Sequence, residues 1–133
     1  MIFDKLQIAN DKARILPNSL IWKGYLTTAA LVKDFKIIAI ASQDINKHYF
    51  ENTTDDICIR TKKRQQGLIQ SGEVYDTCPG CDTDNHAEQI VLNQVKDTKG
   101  LDLYLLGHYW ICDSCKSKIN QAKIRKVFIK KQD

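Results

Sequence analysis

The end of the chain sets the tightest limit on its fold. Leu101 to Trp110 reads as a strand, Asp113 to Ala122 as a helix with Cys115, Ile119 and Ala122 facing inward, and Arg125 to Ile129 as a further short strand. Two strands separated by a helix cannot pair as a tight hairpin. They pair in parallel, and the crossover between them lays its helix on one face of the sheet.

The upstream pattern extends that frame. Leu6, Ala9, Ala13 and Leu16 recur at helical spacing, which predicts an amphipathic helix from Asp4 to Leu16, closed by Pro17. Tyr25 to Val32 and Lys36 to Ser42 read as two strands joined by a tight turn at Lys33 and Asp34, the second of them near-continuously apolar and so expected to be buried. Asp44 to Asp84 is polar and irregular. A small domain rarely carries so long a loop without structure, so part of Asp55 to Gln70 is expected to be helical. Asn85 is placed to cap a helix with Ala87, Ile90, Val91 and Val95 inside, ending near Gly100. Helix, hairpin, helix, strand, helix, strand predicts an α/β fold, a three-layer α/β/α sandwich around a central mixed sheet. At 133 residues, a single domain covering 1–133 is expected.

Ile37 to Ala41 is the longest clean apolar stretch, far short of the ~18 residues of a membrane span, so no membrane partner is expected. Asp4, Lys5, Asp11, Lys12 and Arg14 interrupt any signal-peptide core, and a cytoplasmic location is the expectation. Five cysteines, four of them in the pairs Cys78/Cys81 and Cys112/Cys115, favour metal or redox chemistry over disulfides in a reducing compartment. The net charge of +4 is uneven: residues 116–133 carry +6 and the rest −2. Such a basic end suits either a solvated helix face or an anionic partner such as nucleic acid.

The chemistry concentrates in His86-x-Glu88, followed after 23 intervening residues by Cys112-x-x-Cys115. One imidazole and two thiolates are three zinc ligands, and a catalytic zinc keeps its fourth position for water. Glu88 is better placed to move protons beside that water than to ligate. Both halves fall at expected helix starts, where unpaired N–H groups favour thiolate over thiol. The competing reading of Asn85 and Glu88 is a capping box, with Glu88 satisfying a backbone donor.

NHAEQIVL, together with LDLYLLGHYWICDSCKSKINQAKIRKVFI, resembles the zinc-binding region of the cytidine and deoxycytidylate deaminase superfamily, with its H-x-E and P-C-x-x-C signature; GYLTTAALVKDFKIIAIAS is similar to the family's first two strands. The long segment before His-Ala-Glu looks more like the deoxycytidylate and tRNA-adenosine branches. The resemblance implies a zinc-dependent hydrolase of nucleotide metabolism in which His86, Cys112 and Cys115 bind Zn2+ and Glu88 shuttles the proton. It implies hydrolytic deamination of cytosine in a (deoxy)nucleotide or nucleoside, with adenine in RNA second.

Several positions depart from the family pattern. Ile111 stands where the family has proline, Trp110 where it has a small residue, and Ile90 where the deoxycytidylate type has asparagine, so an unusual substrate choice is expected. The strand-two Gly-x-Asn is missing, with Gln43, Asp44 or Asn46 as substitutes; Asn46, Tyr109 and Trp110 are the candidate substrate contacts. Only four residues follow Ile129, which leaves no room for the family's fifth strand and final helix. A C-terminally short sheet, or completion in a homo-oligomer, is the expectation.

Cys78-Pro-Gly-Cys81 has the form of a zinc knuckle. With Cys112 and Cys115 it makes C-x2-C-x30-C-x2-C, so a non-catalytic zinc-ribbon module binding nucleic acid is the alternative from another class. A second, structural zinc on Cys58, Cys78 and Cys81 is implied by the resemblance, since some deoxycytidylate deaminases carry one; three metal-free cysteines are the other outcome.

Overall fold

Around residue 34 the chain makes the tightest reversal of the fold. Asp34 and Phe35 both have positive φ, 50° and 65°, the geometry of a two-residue turn whose twist matches that of the flanking strands. The turn joins β1 (Thr28–Lys33) to β2 (Lys36–Ser42) in antiparallel register, Lys33 opposite Lys36. The computed structural model describes residues 1–16, 19–23, 26–52, 54–68, 78, 81, 85–107, 111 and 113–131.

The remaining elements are α1 (Ile2–Ala13), a 3-10 turn (Ile45–Lys47), α2 (Ile59–Gln65), α3 (Ala87–Asn93), β3 (Asp102–Leu106), α4 (Asp113–Gln121) and β4 (Val127–Lys130). Strand order is β2-β1-β3-β4: β1 is antiparallel to both neighbours, and β3 pairs with β4 in parallel, as the β-α-β pattern requires. Alternate β1 residues face opposite sides of the sheet. Ala30 and Val32 pack with Leu6 of α1, whereas Ala29 and Leu31 pack with Ala87 and Val91 of α3 and Ile119 of α4. The sheet therefore lies between one helix and two, the three-layer α/β/α arrangement. Among the described residues no helix is long and apolar enough to cross a membrane.

Four local expectations are corrected. β2 is only half-buried, because it is a sheet edge and its pairing slips between Leu31 and Val32, leaving Ile38 unpaired and half-exposed. On α1 the buried residues are Leu6 and Asn10, not an apolar stripe. Asn10 is accommodated because its amide donates to Leu26 O at 2.8 Å and Thr28 Oγ1 at 3.1 Å, and its carbonyl accepts from Arg14 Nε at 3.0 Å. α3 stops at Asn93 rather than near Gly100, since Asp97 Oδ1 accepts from Lys99 N at 3.2 Å and turns the chain locally instead. β3 ends at Leu106, and residues 108–110 of the expected strand lie outside the described residues.

Gly107 ends β3 at φ 109°, and a Cβ there would sit 2.8 Å from Leu26 O. A side chain at this position meets both backbone strain and a fixed carbonyl. Gly107→Ala is expected to lower unfolding free energy by about 2 kcal/mol in urea titration; a change below about 0.5 kcal/mol would show that the strand end relaxes freely.

Candidate functional site

Asn85 fixes where α3 begins. Fully buried, it accepts from Asp44 N at 3.2 Å and donates to Asp44 O at 3.1 Å, engaging both backbone groups of one residue just beyond β2. The N-cap is therefore His86, with extended backbone, and not the expected Asn85; the competing reading, a capping box on Asn85, finds no side-chain cap bond at this helix start. Ala87 and Val91 then dock on the sheet. One turn of helix places Glu88 on the same buried side, 1% exposed.

Cys115, on the first turn of α4, is also buried, with Ile119 one turn on in the core. Its sulfur lies 3.4 Å from His86 Nδ1. Gln89 Nε2 donates to the same sulfur at 3.6 Å and to Ser114 Oγ at 3.1 Å, tying α3 to α4. An imidazole nitrogen, a thiol and the Glu88 carboxylate come within 4.8 Å of one another. Zn–S and Zn–N bonds of ~2.3 and ~2.0 Å at the tetrahedral angle separate nitrogen from sulfur by ~3.5 Å, so the His86–Cys115 hydrogen-bonding distance is also one that two ligands of a single ion can have. Glu88 Oε1 is buried without a hydrogen-bond partner among the described residues. A cation beside it answers that charge, which fits the donor set to a divalent metal.

A second cluster lies after β2. His48, Cys58, Cys78 and Cys81 each offer one atom within 4.8 Å of the others. Cys58 is the N-cap of α2, and Cys81 N donates to Cys78 O at 3.1 Å. The His48 ring stacks on Trp22, with centroids 4.6 Å apart. Protonation within the cluster is strongly coupled. Contacts with Cys78 and Cys81 hold the Cys58 thiol far below its ordinary range, while contacts with Cys58 and Cys78 push Cys81 far above it. Burial pulls His48 down, but its contacts with Cys58 and Cys78 outweigh this and raise it to about 9. Several thiolates cannot share so small a volume without positive charge among them.

No family model and no curated protein sequence matches this chain. Among solved structures it is similar to a dCMP deaminase from the cyanophage S-TIM5, determined in complex with dCMP and dUMP. The two share 15% identity with a TM-score of 0.51, over 96% of this chain and 76% of that one. The chain has the cytidine deaminase-like fold. In that fold it carries, among its described residues, two clusters of side chains that could hold a metal ion.

Within the deaminase-like frame, the expected residues sort as follows. His86, Glu88 and Cys115 converge; Cys112, Tyr109 and Trp110 lie outside the described residues. Asn46 sits exposed on the 3-10 turn, its backbone N–H donating to Asp44 Oδ1 at 3.0 Å. The zinc-ribbon alternative is corrected: Cys78 and Cys81 gather with His48 and Cys58, and Cys115 belongs to the other cluster. The C-x-x-C pairs are split because Cys115 starts a helix that packs on α3, while Cys78 and Cys81 meet the segment after β2. Sequence reading missed His48, although a chain with only three histidines makes each one a ligand candidate. It also missed the role of Asn85 as a brace and of Gln89 as a donor to Cys115.

Truncating Asn85 strands the Asp44 N–H and leaves Asp44 O with the longer bond from Lys47 N, 3.3 Å, alone. Asn85→Ala is expected to cost about 2 kcal/mol in chemical denaturation. A neutral substitution would show that Asp44 is held by other contacts.

Proposed function

We propose that this protein is a zinc-dependent hydrolytic deaminase acting on cytosine in a deoxynucleotide. The observation that carries the reading is Glu88, a buried carboxylate with one unpartnered oxygen, gathered with an imidazole nitrogen and a thiol in a deaminase-like fold. His86 and Cys115, joined by Cys112 from the same C-x-x-C, would hold the zinc. When bound, zinc supplies a Lewis acid that brings the pKa of a water close to neutrality.

The chain's own groups then handle the protons. The Glu88 carboxylate takes a proton from water and delivers it to the pyrimidine ring nitrogen. The hydroxide so formed adds to the amino-bearing ring carbon; Glu88 then takes the proton of that new hydroxyl and passes it to the exocyclic amine, so that the carbon–nitrogen bond breaks, ammonia leaves and the ring keeps a carbonyl. Gln89, donating to Cys115, disperses negative charge on the thiolate and holds it toward His86. Burial of Glu88, Asn85 and Cys115 keeps bulk water from competing for these protons.

The neighbour's crystallisation with dCMP and dUMP supports a pyrimidine nucleotide as the substrate class. A mononucleotide also fits the basic C-terminal region as an outer face: on α4, Lys116 and Lys118 are exposed, as are Lys123, Arg125 and Lys126 beyond it.

Glu88→Gln tests the reading because it keeps shape and removes the base. Ammonia release from dCMP is expected to fall by at least about 100-fold, with zinc content and melting temperature unchanged. Activity retained alongside a lower melting temperature would make Glu88 a structural residue. Adenosine-bearing RNA and single-stranded DNA serve as comparison substrates.

A further inference from the structure

The face of the sheet turned away from the His86 site is covered only in part. α1 lies across β2, β1 and β3, and β4 is the edge strand beyond it. Side chains alternate along a strand. Val127 packs on the side of α3 and α4, so Lys126, Phe128 and Lys130 stand on the α1 side, and all three are exposed. Phe128 is 37% exposed even though the ring of Tyr104, its neighbour in register, stacks on it with centroids 4.6 Å apart and planes 23° apart. Tyr104 in turn meets Phe3 of α1 edge to face at 5.3 Å. The row of rings runs from helix to sheet edge and stops at Phe128, because among the described residues no strand lies beyond β4.

Positive charge brackets the last ring. Arg125 is neutralised, its guanidinium donating to both Asp102 carboxylate oxygens at 2.9 and 2.7 Å. Lys126 and Lys130, two positions to either side of Phe128, have no ion-pair partner among the described residues. Four residues of strand separate them by ~13 Å, the extent of a few nucleotides. A second copy of the chain does not fit here. Antiparallel pairing of two such edges would bring their lysines against one another, and like charges across a strand pair are destabilising. A single strand of nucleic acid answers both features: its phosphates meet the two lysines, and one of its bases continues the row of rings on the outer side of Phe128.

We propose that the α1 side of β4 is a docking surface for single-stranded nucleic acid, with a base stacked on Phe128 and phosphates on Lys126 and Lys130. Stacking of this kind is sequence-tolerant, since every base has a π-face. His86 and Glu88 belong to α3, on the other side of the sheet, so the docked strand does not deliver its bases to Glu88. The surface holds the protein on a polymer and leaves the His86 site open.

The test is fluorescence anisotropy of a labelled oligothymidylate of about twelve nucleotides, titrated with the full chain across a salt series. Affinity is expected to fall with a log–log salt slope of about −1.4 or steeper, and Lys126→Gln and Lys130→Gln are each expected to make that slope shallower by about 0.7. Lys116→Gln, on α4 and so on the other side of the sheet, is expected to leave it as it is. Phe128→Leu keeps apolar bulk and removes the π-face; binding is expected to weaken about tenfold, and Phe128→Trp to retain it. If Phe128→Leu does not fold, the contrast between Lys126→Gln and Lys116→Gln decides. Excess dUMP is expected to displace none of the oligonucleotide. No binding at low salt overturns the surface, as does binding that Phe128→Leu leaves unchanged or that Lys116→Gln weakens as much as Lys126→Gln. Displacement by polyglutamate as effective as by unlabelled oligonucleotide would assign the surface to an acidic protein instead, and displacement by dUMP would move the oligonucleotide to the His86 site; either result overturns the proposal.

Discussion

Glu88 is the residue whose placement the rest of the structure must accommodate. A carboxylate 1% exposed, with one oxygen unpartnered among the described residues, is costly to bury by several kcal/mol unless positive charge or donors answer it. Replacing it with an apolar side chain would be the simpler way to dock α3 on the sheet. Instead the helix spends its inward turn on Glu88 and Gln89, and leaves Ala87 and Val91 to make the apolar contact. That choice trades stability for a buried carboxylate beside a thiol and an imidazole.

The frame that makes this placement precise is the central strand β1, whose two faces pack against helices on either side. The β3–β4 parallel pair forces α4 onto the same face as α3, and so brings Cys115 to His86. Gln89 joins the two helices, and Asn85 joins α3 to the end of β2. His86, Glu88 and Cys115 thus sit on elements that are cross-braced by buried amides, which is how a site holds its geometry without a bound substrate.

The sequence pattern was informative where periodicity or short-range spacing carries the signal. The hairpin, α4, the parallel strand pair and the helix within Asp55 to Gln70 follow from local pattern, whereas the convergence of His86, Glu88 and Cys115 was legible from the paired His-x-Glu and Cys-x-x-Cys motifs and the family they resemble. The apolar run Lys36–Ser42 misled because composition does not reveal whether a strand is central or at an edge, nor where pairing slips. Asn85 read as a cap, and Asn10 carried no signal at all. Both are buried braces whose partners lie sixteen and forty-one residues away, beyond the reach of any local rule. His48 escaped for the same reason: the cysteines near it are brought there by the turn after β2 and by the start of α2, not by sequence spacing.

The central claim is that His86 and Cys115 hold a zinc ion with Glu88 beside it and not bound to it. Anomalous diffraction at the zinc absorption edge, from crystals grown with dUMP, tests it most directly. A peak at ~2.0 Å from His86 Nδ1 and ~2.3 Å from Cys115 Sγ is expected, with the Glu88 carboxylate outside bonding distance and turned toward the pyrimidine. Density for an ion that Glu88 ligates, or no anomalous peak between His86 and Cys115, would contradict it.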